Sequence, residues 1–454
     1  MSSNNTWPRL TLKTAGISLI DCDHRTPVAV ENGYPYIAIP QLKNGHISLQ
    51  GVRHISRENY LEWTKKLKPQ ANDVIVVRRC NSGDSAHVPP GFECAIGQNL
   101  IILRANGQKV LPEFLRWLIN GPDWWEQVLK YINVGAVFDS LRCRDIPNFE
   151  LTIPPIEHQR EISTLLGGLD NRITLLRDTN TTLEAIAQAL FKSWFVDFDP
   201  VRAKQEGREP EGMDADTAAL FPDSFEESEL GLIPKGWKMV PFGELLCHTT
   251  GGDWGSDIPD EKNDTRVAII RGTDIPDLQT GSNNRVPFRY TSIKKLDTRR
   301  LEDGDIVLEI SGGSKDQPTG RSLYLTPLLL AQFDCPVEPA SFCRLLRPTR
   351  KDIGMILGLH LTYIYAQGKT WEYQNQSTGI SNFQTVHFLK AEPVILPPDN
   401  IISVFVDAIH PMIARTHLSQ IKQLATLRDT LLPRLISGQL RLPEAETLMD
   451  EVGS

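Results

Sequence analysis

Gly368-Lys369-Thr370 has the ending of a phosphate-binding loop, which needs a glycine five positions before Gly368. That position is Tyr363, so the backbone cradle for a phosphate is missing and nucleotide binding is not expected there. A DNA adenine methyltransferase would need an Asn-Pro-Pro-Tyr type of loop to grip the flipped amino group. The two Pro-Pro pairs here read Ile153-Pro154-Pro155-Ile156 and Leu396-Pro397-Pro398-Asp399. Asp305 and Glu309 flank a strand pattern, but no nuclease-like Glu-x-Lys follows, and Asp305 reads as a turn residue. The seven cysteines (22, 80, 94, 143, 247, 335 and 343) form no Cys-x-x-Cys pair. Reduced structural thiols and no metal site are expected.

With no catalytic constellation in view, charge points to the class of partner. The net charge of −8 is unevenly spread. Residues 1–153 hold 17 basic against 14 acidic side chains, and residues 236–396 hold 18 against 19. The acid concentrates in residues 154–200, with 4 against 7, and 201–235, with 4 against 9. Two large near-neutral segments leave room for basic faces that bind nucleic acid. The opening Met1-Ser2-Ser3-Asn4-Asn5 lacks the basic and apolar runs of a signal peptide, and no apolar stretch is long enough to span a bilayer, so a cytoplasmic protein is expected.

The chain repeats itself at a period of about 240 residues, which decides its architecture. Trp7 and Trp237 open the two copies. Tyr36-Ile37-Ala38-Ile39 matches Val267-Ala268-Ile269-Ile270 as a strand pattern. Asn72-Asp73-Val74-Ile75-Val76-Val77 matches Gly304-Asp305-Ile306-Val307-Leu308 as an acidic turn feeding a strand. Polar loops around Gly135 and Gly379 precede each Pro-Pro. Short β-branched runs punctuated by Gly, Asn, Asp and Pro predict mixed α/β domains of the α+β kind.

After each Pro-Pro the period becomes helical. Ile162, Leu166, Leu169, Ile173, Leu176, Asn180, Leu183, Ala187, Leu190 and Trp194 alternate steps of four and three, a sustained heptad seam. Asn180 is its one polar position, read as a register-setting residue or as a solvent-facing break. In the second stretch, Ile402, Phe405, Ile409 and Met412 start a seam, and Ile421, Leu424, Leu431 and Leu435 resume it in a shifted frame. Pro411 should interrupt this helix, and Pro433 should do so again before Ser437-Gly438. Two such helices packed antiparallel, each about 50 Å long, could hold two domains a little over one DNA turn apart.

At this point the residues carry a family likeness. Pro154-Pro155-Ile156-Glu157-His158-Gln159, with the helix ending Leu190-Phe191-Lys192-Ser193-Trp194-Phe195-Val196-Asp197-Phe198-Asp199-Pro200-Val201, resembles the central conserved region of Type I restriction enzyme DNA-specificity subunits. Glu229-Leu230-Gly231-Leu232-Ile233-Pro234-Lys235-Gly236-Trp237 resembles the entry to their second target-recognition domain. Leu427-Arg428-Asp429-Thr430-Leu431-Leu432-Pro433-Arg434-Leu435-Ile436-Ser437-Gly438 is similar to their distal conserved region. Trp7-Pro8-Arg9-Leu10 departs from the pattern in lacking the usual preceding glycine.

The resemblance implies target-recognition domain 1 at 1–153, a central conserved helical region at 154–200, an acidic linker at 201–235, target-recognition domain 2 at 236–396, a distal conserved helical region at 397–440 and a tail at 441–454. It implies a pseudo-twofold repeat whose two long helices form an antiparallel coiled coil between the domains. The chain itself would be non-catalytic and bind no cofactor. Its partners would be double-stranded DNA, two methyltransferase subunits carrying S-adenosylmethionine, and two restriction subunits carrying ATP and magnesium. Because the two domains differ in sequence, the target would be an asymmetric bipartite site.

Side chains that read base edges or hold phosphates are expected on the matched loops. In the first domain these are Gln41, Lys43, Arg78, Arg79, Asn81, Ser82 and Arg142. In the second they are Arg271, Thr273, Ser311, Gly312, Gly313, Ser314, Lys315, Asn375, Gln376 and Ser377. Lys294, Lys295, Arg299 and Arg300 read as phosphate contacts or as a solvated face. Ile162, Leu166, Leu169, Ile173, Leu176, Asn180, Leu183, Leu190 and Trp194 are the expected helix interface. Two other classes stand beside the specificity subunit: a drifted methyltransferase or nuclease acting alone, and a coiled-coil scaffold without a DNA role.

Overall fold

A computed structural model describes residues 7–43, 45–135, 138–229, 231–279, 281, 285–313, 317–377 and 380–453 (backbone alone for 376, 377, 380 and 449–453). The chain divides into two compact units. The first comprises Met1–Arg172 with Leu424–Ser454, and the second Ile173–Gln423.

In the first unit, short apolar runs build a four-stranded sheet in the order Ile17–Asp21, Leu100–Ala105, Val74–Val77, Ser85–His87. Val74 to Val77 are all buried, which is why this strand reads as a continuous β-branched run. A second sheet orders Arg53–Ile55, Tyr34–Ile37 and Ala95–Ile96, the last pairing parallel. Arg9–Thr11 pairs with Glu150–Thr152 and closes the domain immediately before Pro154-Pro155.

The second unit repeats this plan strand for strand. Leu246–Gly251, Cys343–Pro348, Ile306–Glu309 and Ser322–Tyr324 form the four-stranded sheet. Phe288–Thr291, Thr265–Ile270 and Val337–Pro339 form the three-stranded one, again with its last strand parallel. Lys238–Pro241 pairs with Pro393–Leu396 just before Pro397-Pro398.

The repeat extends to single side chains. Asp73 precedes its strand, accepts the backbone N–H of Gln70 and receives Arg104 at 2.7 and 2.6 Å. Asp305 does the same with Glu302 N–H and with Arg347, at 2.8 Å on both oxygens. Both carboxylates are buried. The acidic turns found in the sequence therefore anchor a neighbouring strand by a two-pronged charge-assisted bond.

The heptad seam forms helix α1, Ile156–Phe195, a continuous 40 residues and about 60 Å at 1.5 Å per residue. The distal stretch forms α2, Asp399–Thr416, and α3, Gln420–Ile436. The break does not fall at Pro411 as the sequence suggests, because α2 runs through that proline. It falls at His417 to Ser419, where local tertiary bonds replace helical ones. Asn180 donates to the Thr416 carbonyl at 3.2 Å, the Gln332 amide donates to the His417 carbonyl at 2.7 Å, and the His417 ring meets the Thr326 hydroxyl at 2.8 Å. Burial pushes the His417 imidazole down to about 4, so the ring is neutral. Pro433 likewise sits inside α3, in its last turn.

Within the first unit Asp170 bonds Arg428 at 2.6 Å, while Ile162 and Leu165 line one groove with Leu435. Rising positions on α1 thus meet falling positions on α3, an antiparallel pairing. Within the second unit the same sense holds for α1 and α2: Asn180 meets Thr416, and Trp194 and Phe195 pack on Phe405 with ring centroids 5.3 and 4.6 Å apart. Among the described residues no helix is long and apolar enough to cross a membrane.

Candidate nucleic-acid interface

In the first unit the turn after Val74–Val77 carries Arg78 to Gly83. Cys80, Asn81 and Gly83 have φ of 59°, 64° and 103°, a sharp left-handed path that Asn and Gly tolerate. Ser82 is buried and fixes the turn by donating its hydroxyl to the Arg78 carbonyl at 2.9 Å. Asn81 points to solvent. Arg79 pairs with Ser140, the end of a hairpin formed by Asn133–Val134 and Asp139–Ser140. The result is a concave surface of about 380 Å³ lined by Arg78, Arg79, Arg142, His24, Gln98, Asn99, Ser140 and Leu141.

Three arginines named from sequence thus converge on one wall. Arg79 and Arg142 are exposed. Arg78 is half-buried, 4.0 Å from Asp21, and its Nε finds no acceptor among the described residues. A buried donor without a partner is costly unless something supplies an acceptor. Phosphate oxygens and the N7 and O6 atoms of guanine are such acceptors.

Gln41 is different. It is buried, and its amide oxygen accepts the Ala38 N–H at 3.2 Å, closing a tight turn. Lys43 is exposed on the short hairpin of Leu42–Lys43 and His46–Ile47. Neither lines the arginine concavity.

In the second unit the corresponding surface is a small sheet ordering Ser311–Gly313, Ile380–Phe383 and Gln374–Ser377. Ser311 pairs with Asn382, as Arg79 pairs with Ser140, and Asn375 pairs with Asn382, as Asn133 pairs with Ser140. Asn375 is exposed and accepts the Gln384 amide at 2.7 Å, and Gln376 and Ser377 continue its strand. Gly312 has φ of 129°, which only glycine adopts freely. Ser314 and Lys315 lie outside the described residues.

Buried Glu309 underlies two of these loops. Arg321 holds it at 2.8 Å, a Cβ on Gly272 would come within 2.3 Å of its Oε1, and one on Gly312 within 3.2 Å. The Arg271 turn and the Ser311 strand are therefore packed over one carboxylate. Arg271 itself forks onto buried Asp274 at 2.9 and 2.7 Å, leaving Thr273 exposed beside it. Lys295 is paired with Asp253, and Arg299 donates to the Gly251 carbonyl.

Sequence reasoning passed over Asn133, Ser140, Gln98 and Asn99 in the first unit and Asn382 and Gln384 in the second. Ladder register finds Asn133, Ser140 and Asn382, and only the folded loops bring Gln98 and Asn99 beside the arginines and Gln384 onto Asn375. Sequence reasoning also passed over Asp21, Cys22 and His24, whose ligating atoms lie within 4.8 Å of one another. The two nitrogens of His24 face different partners there, Asp21 at 3.2 Å and Cys22 at 3.7 Å, whereas a metal ion engages one ring nitrogen.

The apparent phosphate loop has a structural use. Gly368, with φ of 72°, ends helix Lys351–Ala366 in the left-handed region. Lys369 reaches fully buried Glu392 at 2.8 Å, where His360 and Tyr373 also bond, at 2.8 and 2.7 Å. Thr370 is buried.

The seam residues differ in burial. Ile162, Leu166, Leu169, Ile173, Asn180 and Trp194 are buried, while Leu176, Leu183 and Leu190 are partly so. Gln159, from the Pro-Pro-Ile-Glu-His-Gln motif, is fully buried and ties the start of α1 to the first unit, bonding Leu111 N–H and the Lys109 and Pro154 carbonyls at 2.7–2.8 Å. Trp237, from the second motif, packs against Phe195 and Phe198.

The chain is similar to known proteins. The family described as Type I restriction modification DNA specificity domain matches residues 25–185. The chain is 27% identical over 400 residues to the Type I restriction enzyme HindI specificity subunit of Haemophilus influenzae, covering 76% of this chain and 81% of that one. It is 23% identical over 433 residues to the MjaIX specificity subunit of Methanocaldococcus jannaschii, covering 92% and 87%. Its fold is similar to the crystal structure of the Type-I restriction-modification system S subunit from M. genitalium, with a TM-score of 0.51 and 16% identity over 96% of this chain and 97% of that one. The role that such relatives are named for is specificity rather than catalysis. Over most of its length the chain is thus similar to Type I restriction–modification DNA-specificity subunits, with residues 25–185 matching their DNA specificity domain.

Proposed function

We propose that the chain reads an asymmetric, two-part DNA target, each unit contributing one reader. The observation that carries this is the repeat itself. Two domains share strand order and ladder positions yet place different side chains at them, Arg79 and Ser140 in one and Ser311 and Asn382 in the other. Equal frames with unequal contacts give unequal half-sites. Residues 1–153 and 236–396 are the readers, 154–200 and 397–440 the helical spacer, 201–235 a linker and 441–454 a tail.

The helical regions dock two methyltransferase subunits, which carry S-adenosylmethionine, and two restriction subunits, which carry ATP and magnesium. The assembly works in the cytoplasm. The chain's own part is binding: arginines neutralise phosphates, and loop amides and hydroxyls reach base edges. A mobility-shift assay of the chain with its methyltransferase partners tests this. Sequence-dependent binding that weakens steeply with salt is expected. Sequence-independent binding would leave only a scaffold, and methyl transfer by the purified chain alone would make it an enzyme.

A further inference from the structure

In the first unit the apolar side chains that face water most openly beside the arginine concavity lie around one hairpin. Val134 is 86% exposed and Phe138 is 52% exposed, on the two sides of the turn closed by Gly135 N–H to the Phe138 carbonyl. The helix leading into it, Pro122–Tyr131, exposes Trp125 and Leu129 one turn apart, and Trp125 flanks the Gly83 end of the arginine turn. Scattered exposed apolar residues are ordinary, but four on consecutive elements bordering a basic wall are a surface feature.

Its counterpart in the second unit is the strand pair Gln374–Ser377 and Ile380–Phe383, at the same ladder position. There the sequence offers Asn375, Gln376, Ser377 and Asn382. In ladder register Gln376 stands where Val134 does and Ile380 where Phe138 does, so the Val134 position carries apolar chemistry in the first reader and amide chemistry in the second. Amides match the donor and acceptor edges of adenine, and an aliphatic or aromatic side chain matches the C5 methyl of thymine, the apolar group that base pairs present in the major groove. The neighbouring Arg79 and Arg142 supply the charge that holds a phosphate backbone beside the hairpin.

Resting on the DNA-reading role above, we propose that the exposed side chains of Val134 and Phe138 read thymine through its methyl group, so that the first half-site depends on apolar readout. Both side chains are exposed, so Val134→Ala with Phe138→Ala should leave the fold intact. The test measures affinity of the full chain, assembled with its methyltransferase partners, for target duplexes in which each thymine in turn is replaced by uracil. Uracil removes only the methyl. At one thymine or more, the wild type should lose roughly fourfold in affinity, the equivalent of one buried methyl, while the double variant binds thymine and uracil alike there.

The proposal fails if no thymine shows this penalty, or if the double variant keeps it. It also fails if the variant loses the methyltransferase subunits while thymine and uracil remain distinguished, since the surface would then belong to a protein partner. In each of those cases sequence-specific binding by the wild type leaves the DNA-reading role standing. Absence of any specific binding removes both.

Discussion

Asp170 and Arg428, 258 positions apart, are joined at 2.6 Å between α1 and α3 in the first unit. Asp170 is buried and also receives Arg116 at 3.2 Å and His46 at 3.1 Å. Burial alone would raise its pKa. The bond and charge from His46, then Arg428 and Arg116, overcome that and hold it well below the carboxylate range. One carboxylate therefore fastens the hairpin of His46, the short helix of Arg116 and the distal helix to α1.

Asp170→Asn leaves the partly buried Arg116 guanidinium without its carboxylate and Arg428 with only the exposed Asp429, at 2.8 Å. It should cost about 3–5 kcal/mol, the scale for breaking a buried pair. Arg428→Met leaves Asp170 still paired with Arg116 and His46 and should cost less. Urea unfolding of the two variants checks the order, and equal losses would mean that Asp170 is not shared.

Asn180→Leu would make the seam of α1 wholly apolar, which in a plain coiled coil adds stability. Here it strips the Thr416 carbonyl of its donor at the break between α2 and α3. A loss of about 1–3 kcal/mol is expected, the cost of an unpaired buried polar group. A rise in melting temperature would show that the bond at the break does not matter.

The residues behind these two predictions were unequally visible in the sequence. Asn180 stood out because heptad spacing exposes any polar intruder. The acidic turns of Asp73 and Asp305 stood out because each precedes a β-branched run. Asp170 did not, because its partners come from a hairpin, a short helix and a helix more than 250 positions away. The break at His417 was misplaced for a similar reason: Pro411 is a strong local signal, while Thr326 and Gln332 act only through tertiary contact. Of the candidate site, arginines after a strand were legible. The commitment of Gln41 to Ala38, and the ladder that sets Asn133 opposite Ser140, were not.

Arg79→Ala and Arg142→Ala should each weaken binding to specific and random duplexes alike and reduce the slope of log affinity against log salt by about one, as for one lost phosphate contact. Fluorescence anisotropy across a salt series measures this. A change confined to one base position would make the residue a base reader instead.

Glu184 of α1 lines a crevice of about 220 Å³ in the second unit with Tyr324, Met355 and His417. Burial pushes its carboxyl up to about 7 from an ordinary value of 4.5. The folded state therefore binds the extra proton between pH 4.5 and 7, and stability falls as pH rises through that window. Glu184→Gln should be nearly neutral at pH 4.5 and stabilising by roughly 1–2 kcal/mol at pH 8, after allowance for solvent screening. Melting temperatures at the two pH values test it, and an equal effect at both would remove the titration from the account.

The central claim is that this chain sets an asymmetric, two-part target. Mapping methylated adenines across host DNA, with and without the gene, tests it most directly. The account predicts that one motif disappears with the gene, made of two different half-sites around an unspecified gap. Loss of a continuous or palindromic motif, or no loss at all, would contradict it.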